Sequence, residues 1–155
     1  MLRISKIADY AVIVIAAIAK TTSASYTGQQ LADSTHIALP TVRKVLKLLA
    51  NADLLTSTRG VNGGYALARP AQSITLIDVI TAIDGPIAIT ECCHTEKDCD
   101  RQACCTARSN WQTINHAIHT ILKSVTIDQM NGALSLQPGQ LPWQVRVVHS
   151  TEDTV

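Results

Sequence analysis

Leu39-Pro40-Thr41-Val42-Arg43-Lys44-Val45-Leu46-Lys47-Leu48-Leu49, followed shortly by Arg59-Gly60-Val61-Asn62-Gly63-Gly64-Tyr65, decides the fold of this chain. In the first stretch Val42, Val45, Leu46, Leu48 and Leu49 give an apolar face at helical spacing, with Arg43, Lys44 and Lys47 mostly on the other side. Pro40 stands in the first turn, where a missing N–H costs little. The second stretch is a turn in which Gly supplies positive φ. Strand-like Leu54-Leu55-Thr56-Ser57-Thr58 precedes it and Tyr65-Ala66-Leu67-Ala68 follows it, so the pair reads as a hairpin directly after a helix.

Outward from there, helices flank the hairpin on both sides. Ile4, Ile7, Ala8, Ala11, Val12, Ile15, Ile18 and Ala19 predict one helix over residues 2–20. A short helix over 29–34 follows, with Thr27 as its N-cap, then a break at Thr35-His36-Ile37-Ala38. Downstream, Thr75 opens a helix through Asp84 with Leu76, Val79, Ile80 and Ile83 inward, and Gly85-Pro86 ends it. A longer helix is expected over 106–124. Its Trp111, Ile114, Ile118, Ile121 and Val125 are spaced like a coiled-coil seam. Such a stripe either pairs with a second copy or packs on its own domain. The first half already has helices enough to close a small core, which favours self-association. The fold class is therefore mostly α with a small β-hairpin wing: a winged helix-turn-helix over 1–86, a cysteine-rich loop over 87–105, a dimerisation helix over 106–130, and a flexible tail over 131–155.

Composition agrees with this reading. Of the 155 residues 46% are hydrophobic and only 3% aromatic, with no Phe, an aliphatic balance that favours helices. No apolar run reaches the roughly 18 residues a transmembrane helix needs. The N-terminus carries Lys6 and Asp9 within its periodic pattern and lacks a small-residue cleavage site, so no signal peptide is expected and the cytoplasm is the expected location. Charge is unevenly placed: residues 1–70 hold eight basic and three acidic side chains, a net +5, and residues 71–155 hold five and nine, a net −4. Only the first half is suited to a polyanion.

Helix, short helix, turn, helix and Gly-tipped hairpin is the order of a winged helix-turn-helix, whose second helix enters the DNA major groove by its N-terminal part. That assigns Pro40, Thr41, Arg43, Lys44 and Lys47 to double-stranded DNA, with Lys and Arg neutralising phosphates or reaching guanine. Arg59 at the wing tip suits a narrow minor groove, and Gly60, Gly63 and Gly64 let the backbone approach the duplex. The competing reading of the three basic residues is a solvated helix face; the adjacent wing favours DNA. A dimer of such units would meet a pseudo-palindromic operator.

All five cysteines fall between Cys92 and Cys105, in a polar stretch. Cysteines kept for packing would be scattered through the core. Two registers are open, Cys93-x5-Cys99-x5-Cys105 and Cys92-x6-Cys99-x4-Cys104. Neither has the close pairs of structural zinc sites. Three widely spaced thiolates suit an iron–sulfur cluster; a thiol–disulfide switch and a zinc site remain the alternatives. No His, Asp or Glu accompanies the thiols in a nucleophilic arrangement, which argues against an enzyme.

These pieces, in this order, resemble the IscR/NsrR-like iron–sulfur winged-helix regulators, the Rrf family, over about residues 1–130. The resemblance rests on Leu2-Arg3-Ile4-Ser5-Lys6-Ile7-Ala8-Asp9-Tyr10-Ala11, on Arg59 to Tyr65, and on Cys93, Cys99 and Cys105 followed by Trp111. Residues 85–92 and 110–115 look most like the branch that regulates the SUF cluster-assembly operon. The resemblance implies a dimeric transcription factor, commonly a repressor of iron–sulfur biogenesis genes, with a 2Fe–2S cluster ahead of a 4Fe–4S one. It also implies Cys93, Cys99 and Cys105 as ligands, because the third family Cys lies six residues before the Trp. Cys92 then becomes an alternative to Cys93, and Cys104 an extra. IscR-like proteins carry a His three residues after the third Cys, where this chain has Arg108, which stays protonated and cannot ligate. NsrR-like members use an Asp from the first helix of the other subunit, and Asp9 matches it; His94 is the second choice. Arg43 stands where IscR-like proteins have an acid that shapes DNA choice.

Overall fold

Ser5 decides where the first helix begins. In the computed structural model, which describes residues 4–20, 25–60, 63–93, 105–132 and 134 (Cys92 by its backbone alone), the Ser5 hydroxyl accepts the Ala8 N–H at 3.1 Å and caps α1, Lys6–Ala19. Ile4, expected inside the helix, instead lies in extended chain before the cap and is 48% exposed. The capping residue must itself be extended, and this overrides the apolar period.

Helix α2, Gly28–Thr35, starts on a reciprocal cap: Thr27 accepts the Gln30 N–H, and the Gln30 side chain accepts the Thr27 N–H. It ends on His36, which holds φ +56°. The turn delivers the chain into α3, Leu39–Asn51, with Pro40 in its first turn as expected. Asp53, also at φ +56°, then turns the chain into β1, Leu55–Thr58. β1 pairs antiparallel with β2, Gly64–Leu67, from Leu55 opposite Leu67 to Thr58 opposite Gly64. Tyr26 adds a third edge, exchanging backbone bonds of 2.9 and 2.8 Å with Tyr65. The wing is thereby fastened to the residue that precedes the Thr27 cap of α2.

A 3-10 turn at Ala71–Ser73 leads to α4, Leu76–Asp84, capped by Thr75 and Asp78 in the same reciprocal way. One core results. Val14, Ile15 and Ile18 of α1, Leu31 of α2, and Val42, Val45, Leu46 and Leu49 of α3 are almost wholly buried, together with Ile74 and Val79. Each such side chain contributes on the order of 2 kcal/mol by leaving water.

Helix α5 spans Arg108–Ser124, two residues shorter at its start than its apolar period suggests. The chain then folds back. Leu76 N–H donates to the Val125 carbonyl at 2.8 Å, Ile127 N–H donates to the Ile74 carbonyl at 2.9 Å, and Asn131 Nδ2 donates to the Ala16 carbonyl at 3.0 Å. Ile127 is 0% exposed and completes the core. Val125, expected on the outer seam, is 3% exposed and belongs to this return instead, so the seam runs from Trp111 to Ile121. Among the described residues no helix is long and apolar enough to cross a membrane. Of the flexible tail expected over 131–155, Asn131 is instead tied to α1, and residues 133 and 135–155 lie outside those described.

Candidate nucleic-acid interface and cysteine site

The first turn of α3 has no side-chain cap, and Pro40 is exposed there. Pro40 carries no N–H, and the Thr41 and Val42 N–H groups donate to the Ala38 carbonyl at 2.9 and 3.1 Å, so this turn closes on its own backbone. Arg43, Lys44 and Lys47 are all exposed, whereas Val42, Val45, Leu46 and Leu49 are buried; the basic face is therefore the outer face, as expected. The three do not act alike. Arg43 and Lys47 line a groove between α3 and the wing, about 460 Å³, together with Ser57 and Tyr65, and Lys44 does not. Arg43 leaves from the junction of the two helices, its carbon stem beside Gly28. Thr41 is half-buried next to this face.

Arg59 and Gly60 are exposed at the end of β1, and Gly60 holds φ +120°. The turn closes by a bond of 2.9 Å from Gly63 N–H to the Gly60 carbonyl. A Cβ on Gly63 would fall onto the Thr58 carbonyl, so the wing folds back this tightly only with glycine there. Val61 and Asn62 lie outside the described residues.

Of the cysteine positions, Cys93 and Cys105 are described with their side chains; both are half-buried and neither is in a disulfide. Cys93 ends a 3-10 turn, Glu91–Cys93, that packs on α5, and Cys105 stands just before α5 begins. The backbone thus brings both to one end of the same helix. Cys93 is oriented locally: its N–H donates to the Thr90 carbonyl at 2.9 Å and its Sγ lies 3.3 Å from Thr90 Oγ1. His94, Cys99, Cys104 and the side chain of Cys92 lie outside the described residues. Asp9 is exposed in the first turn of α1, where the helix dipole favours a carboxylate. Among the described residues no three His, Cys, Asp or Glu side chains converge, so one chain does not gather Asp9, Cys93 and Cys105 at a point. Arg108 opens α5 with its side chain half-buried.

The seam of α5 carries Trp111, 39% exposed, and Ile114, 45% exposed, with Ile118 and Ile121 half-buried beside them. Sequence reasoning missed a second set of side chains on the same helix. Asn115 Oδ1 accepts the Ile89 N–H at 3.2 Å, and His119 Nε2 donates to the Ile87 carbonyl at 2.7 Å. It also missed Asp84, which accepts from the Ser5 hydroxyl at 2.6 Å and the Ser5 N–H at 3.2 Å. Polar residues one helical turn apart on α5 were the available signal.

Comparison with known proteins agrees with this architecture. The family model of Rrf2, described as an iron-dependent transcriptional regulator, matches residues 4–132. The protein rrf2 of Nitratidesulfovibrio vulgaris is 31% identical over 110 residues, 71% of this chain and 73% of that one. The HTH-type transcriptional regulator IscR of Vibrio atlanticus is 30% identical over 94 residues, 61% of this chain and 54% of IscR. Among solved structures, CymR, the global cysteine regulator of B. subtilis, superposes with a TM-score of 0.70 at 25% identity, over 87% of this chain and 100% of CymR.

Proposed function

The chain belongs to the Rrf2 family of DNA-binding transcriptional regulators, and from that premise we propose that it is a homodimeric repressor that reports the state of its cysteine segment to an operator. As a member of that family it works by binding, not by catalysis. Residues 1–86 read DNA, 87–105 carry the sensor and 106–130 join the two copies, in the cytoplasm. Within the DNA unit, Pro40, Thr41, Arg43, Lys44 and Lys47 meet the major groove, and Arg59, Gly60 and Gly63 bring the wing to the neighbouring groove. The operator is pseudo-palindromic, with half-sites about one helical turn or a multiple apart. Genes of iron–sulfur cluster assembly are the proposed targets.

The observation that carries the sensor reading is the placement of free thiols at one end of the helix whose seam is exposed. Cys93, Cys99 and Cys105 are the proposed ligands of an iron–sulfur cluster, 2Fe–2S ahead of 4Fe–4S, with Cys92 as the substitute for Cys93. The donor set fits: three soft thiolates are the usual ligands of such a group. The fourth ligand is the exposed Asp9, given across the dimer, with His94 the substitute. An outward-facing carboxylate in the first turn of α1 suits that role. When bound, the cluster supplies a group sensitive to iron supply and oxidation. The chain's own residues position the thiols and carry the change in their arrangement to α1 and α3.

A second reading is a thiol–disulfide switch without a cofactor. The likeness to CymR, named a cysteine regulator, and the unbridged Cys93 and Cys105 favour it. Anaerobic purification separates the two. Iron and acid-labile sulfide, lost on replacing Cys93, Cys99 and Cys105 by Ala, are expected; protein without either, even after reconstitution, and with disulfides forming under oxidant, would establish the switch.

A further inference from the structure

The stretch between α4 and Cys93 is held from both sides by side chains that neither DNA reading nor thiol chemistry uses. At its start, Asp84 grips the Ser5 hydroxyl and N–H at the head of α1. Gly85, at φ +82°, turns the chain. Next, the Ile87 carbonyl is held by His119 and the Ile89 N–H by Asn115. Because a carbonyl only accepts, His119 carries its proton on Nε2 here. At the far end Thr90 holds Cys93 through its carbonyl and its hydroxyl. Each link adjoins the next, from the sulfur of Cys93 back to the cap of α1.

Underneath lies an apolar hollow of about 340 Å³, lined by Ile4, Ile80, Ile87, Ile89, Ile118 and Leu122. The hollow is half open to solvent, with exposed Ile4 at its edge. On the side facing the hollow the segment is held by its hydrogen bonds to Asn115 and His119 and is not close-packed. Asn115 and His119, four residues apart, project together from α5, which also carries the exposed seam. α1, at the other end, packs directly on both α3 and α4.

We propose that residues 84–90 form a strap that transmits the state of the cysteine segment to the DNA-reading helices, with Asp84, Asn115 and His119 as its positioning residues. This rests on the sensor reading above. When Cys93 moves, Thr90 moves with it, the strap shifts over the hollow, and Asp84 pulls on the cap of α1. α1 then changes its tilt against α3, and the spacing of the two recognition helices in the dimer changes.

The test is the ratio of DNA affinities in two states, read by fluorescence anisotropy on a duplex selected from a random pool. The protein is used as purified without oxygen and after treatment with hydrogen peroxide. Wild type should change its affinity by about tenfold between states, within the range usual for coupled sites. Asn115→Ala with His119→Ala should bring that ratio to within about twofold while leaving the dimer intact. Asn115→Asp with His119→Gln, which keep an acceptor and a donor, should restore it. Asp84→Ala, which removes exposed bonds only, should lower the ratio in the same direction even where the double variant fails to fold. A responding wild type with equally responding alanine variants overturns the strap and leaves the sensor standing. A wild type that does not respond overturns the sensor and the strap with it.

Discussion

Residues 6–84 and residues 105–124 satisfy their apolar surface in different ways. In the first region Val14, Ile15, Val42, Val45 and Leu46 are all at 0% exposure, and the basic side chains stand outside. In the second, α5 buries only Ala117 among its own residues and leaves Trp111 and Ile114 in solvent. The DNA-reading half closes its core with Ile127 of the same chain. In the reading proposed above α5 is half of an interface between two copies, with Cys93 and Cys105 beside it. The proposed function needs this division: a reader with a closed core, joined to a part whose arrangement depends on a partner and on its thiol chemistry.

The division predicts opposite outcomes for apolar residues of similar size. Ile15→Ala should lower unfolding free energy by about 2–5 kcal/mol, the range for deleting a buried aliphatic side chain, measured by urea denaturation. Ile114→Ala should cost the folded monomer under about 0.5 kcal/mol, measured at a protein concentration low enough to dissociate the dimer. An equal loss at both positions would break the comparison. Placing charge on the seam, Trp111→Glu with Ile114→Glu, should give monomers in sedimentation velocity. With the second recognition helix no longer tethered, affinity for a two-half-site duplex should fall by about 100-fold or more. A dimer that persists would show that the copies meet elsewhere.

Within the DNA-reading half the contrast sharpens to single residues. Arg43→Ala should cost about 1–3 kcal/mol of binding and relax preference at one base position if Arg43 reads guanine from the groove beside the wing. Arg59→Ala should instead weaken all sequences alike and reduce the slope of log affinity against log salt by about one if its contact is to phosphate. The smallest expected effect concerns stability alone. His36→Gly relieves a left-handed residue between α2 and α3 and should stabilise by up to about 1 kcal/mol in the same urea series.

The helices and the hairpin were readable because their signals are local. Thr27 and Thr75 cap within three residues, Pro40 stands at a helix start, and Val42, Val45, Leu46 and Leu49 repeat at helical spacing. What failed was nonlocal. Ile4 fits the period of α1, yet the Ser5 cap, backed by Asp84 from the far end of α4, excludes it from the helix. Val125 fits the seam, yet its carbonyl is taken by Leu76, and a short return such as Thr126-Ile127 has no period to detect. The same limit applies to the sites. Spacing places Arg43, Lys44 and Lys47 on one face but cannot tell which of them turns toward the wing. The cysteine register came from resemblance, because spacing left two registers open. Asn115 and His119 acquire meaning only once Ile87 and Ile89 are seen against α5.

The central claim is that the state of the cysteines governs DNA binding by the reader. The most direct test is anaerobic DNA binding by wild type beside the Cys93→Ala, Cys99→Ala, Cys105→Ala triple variant, on a duplex selected by the wild-type protein, with helical content and dimer mass checked for both. Affinities that differ by about tenfold or more between equally folded dimers are predicted. Affinities equal within about twofold would contradict the claim and leave the cysteines without a part in DNA binding.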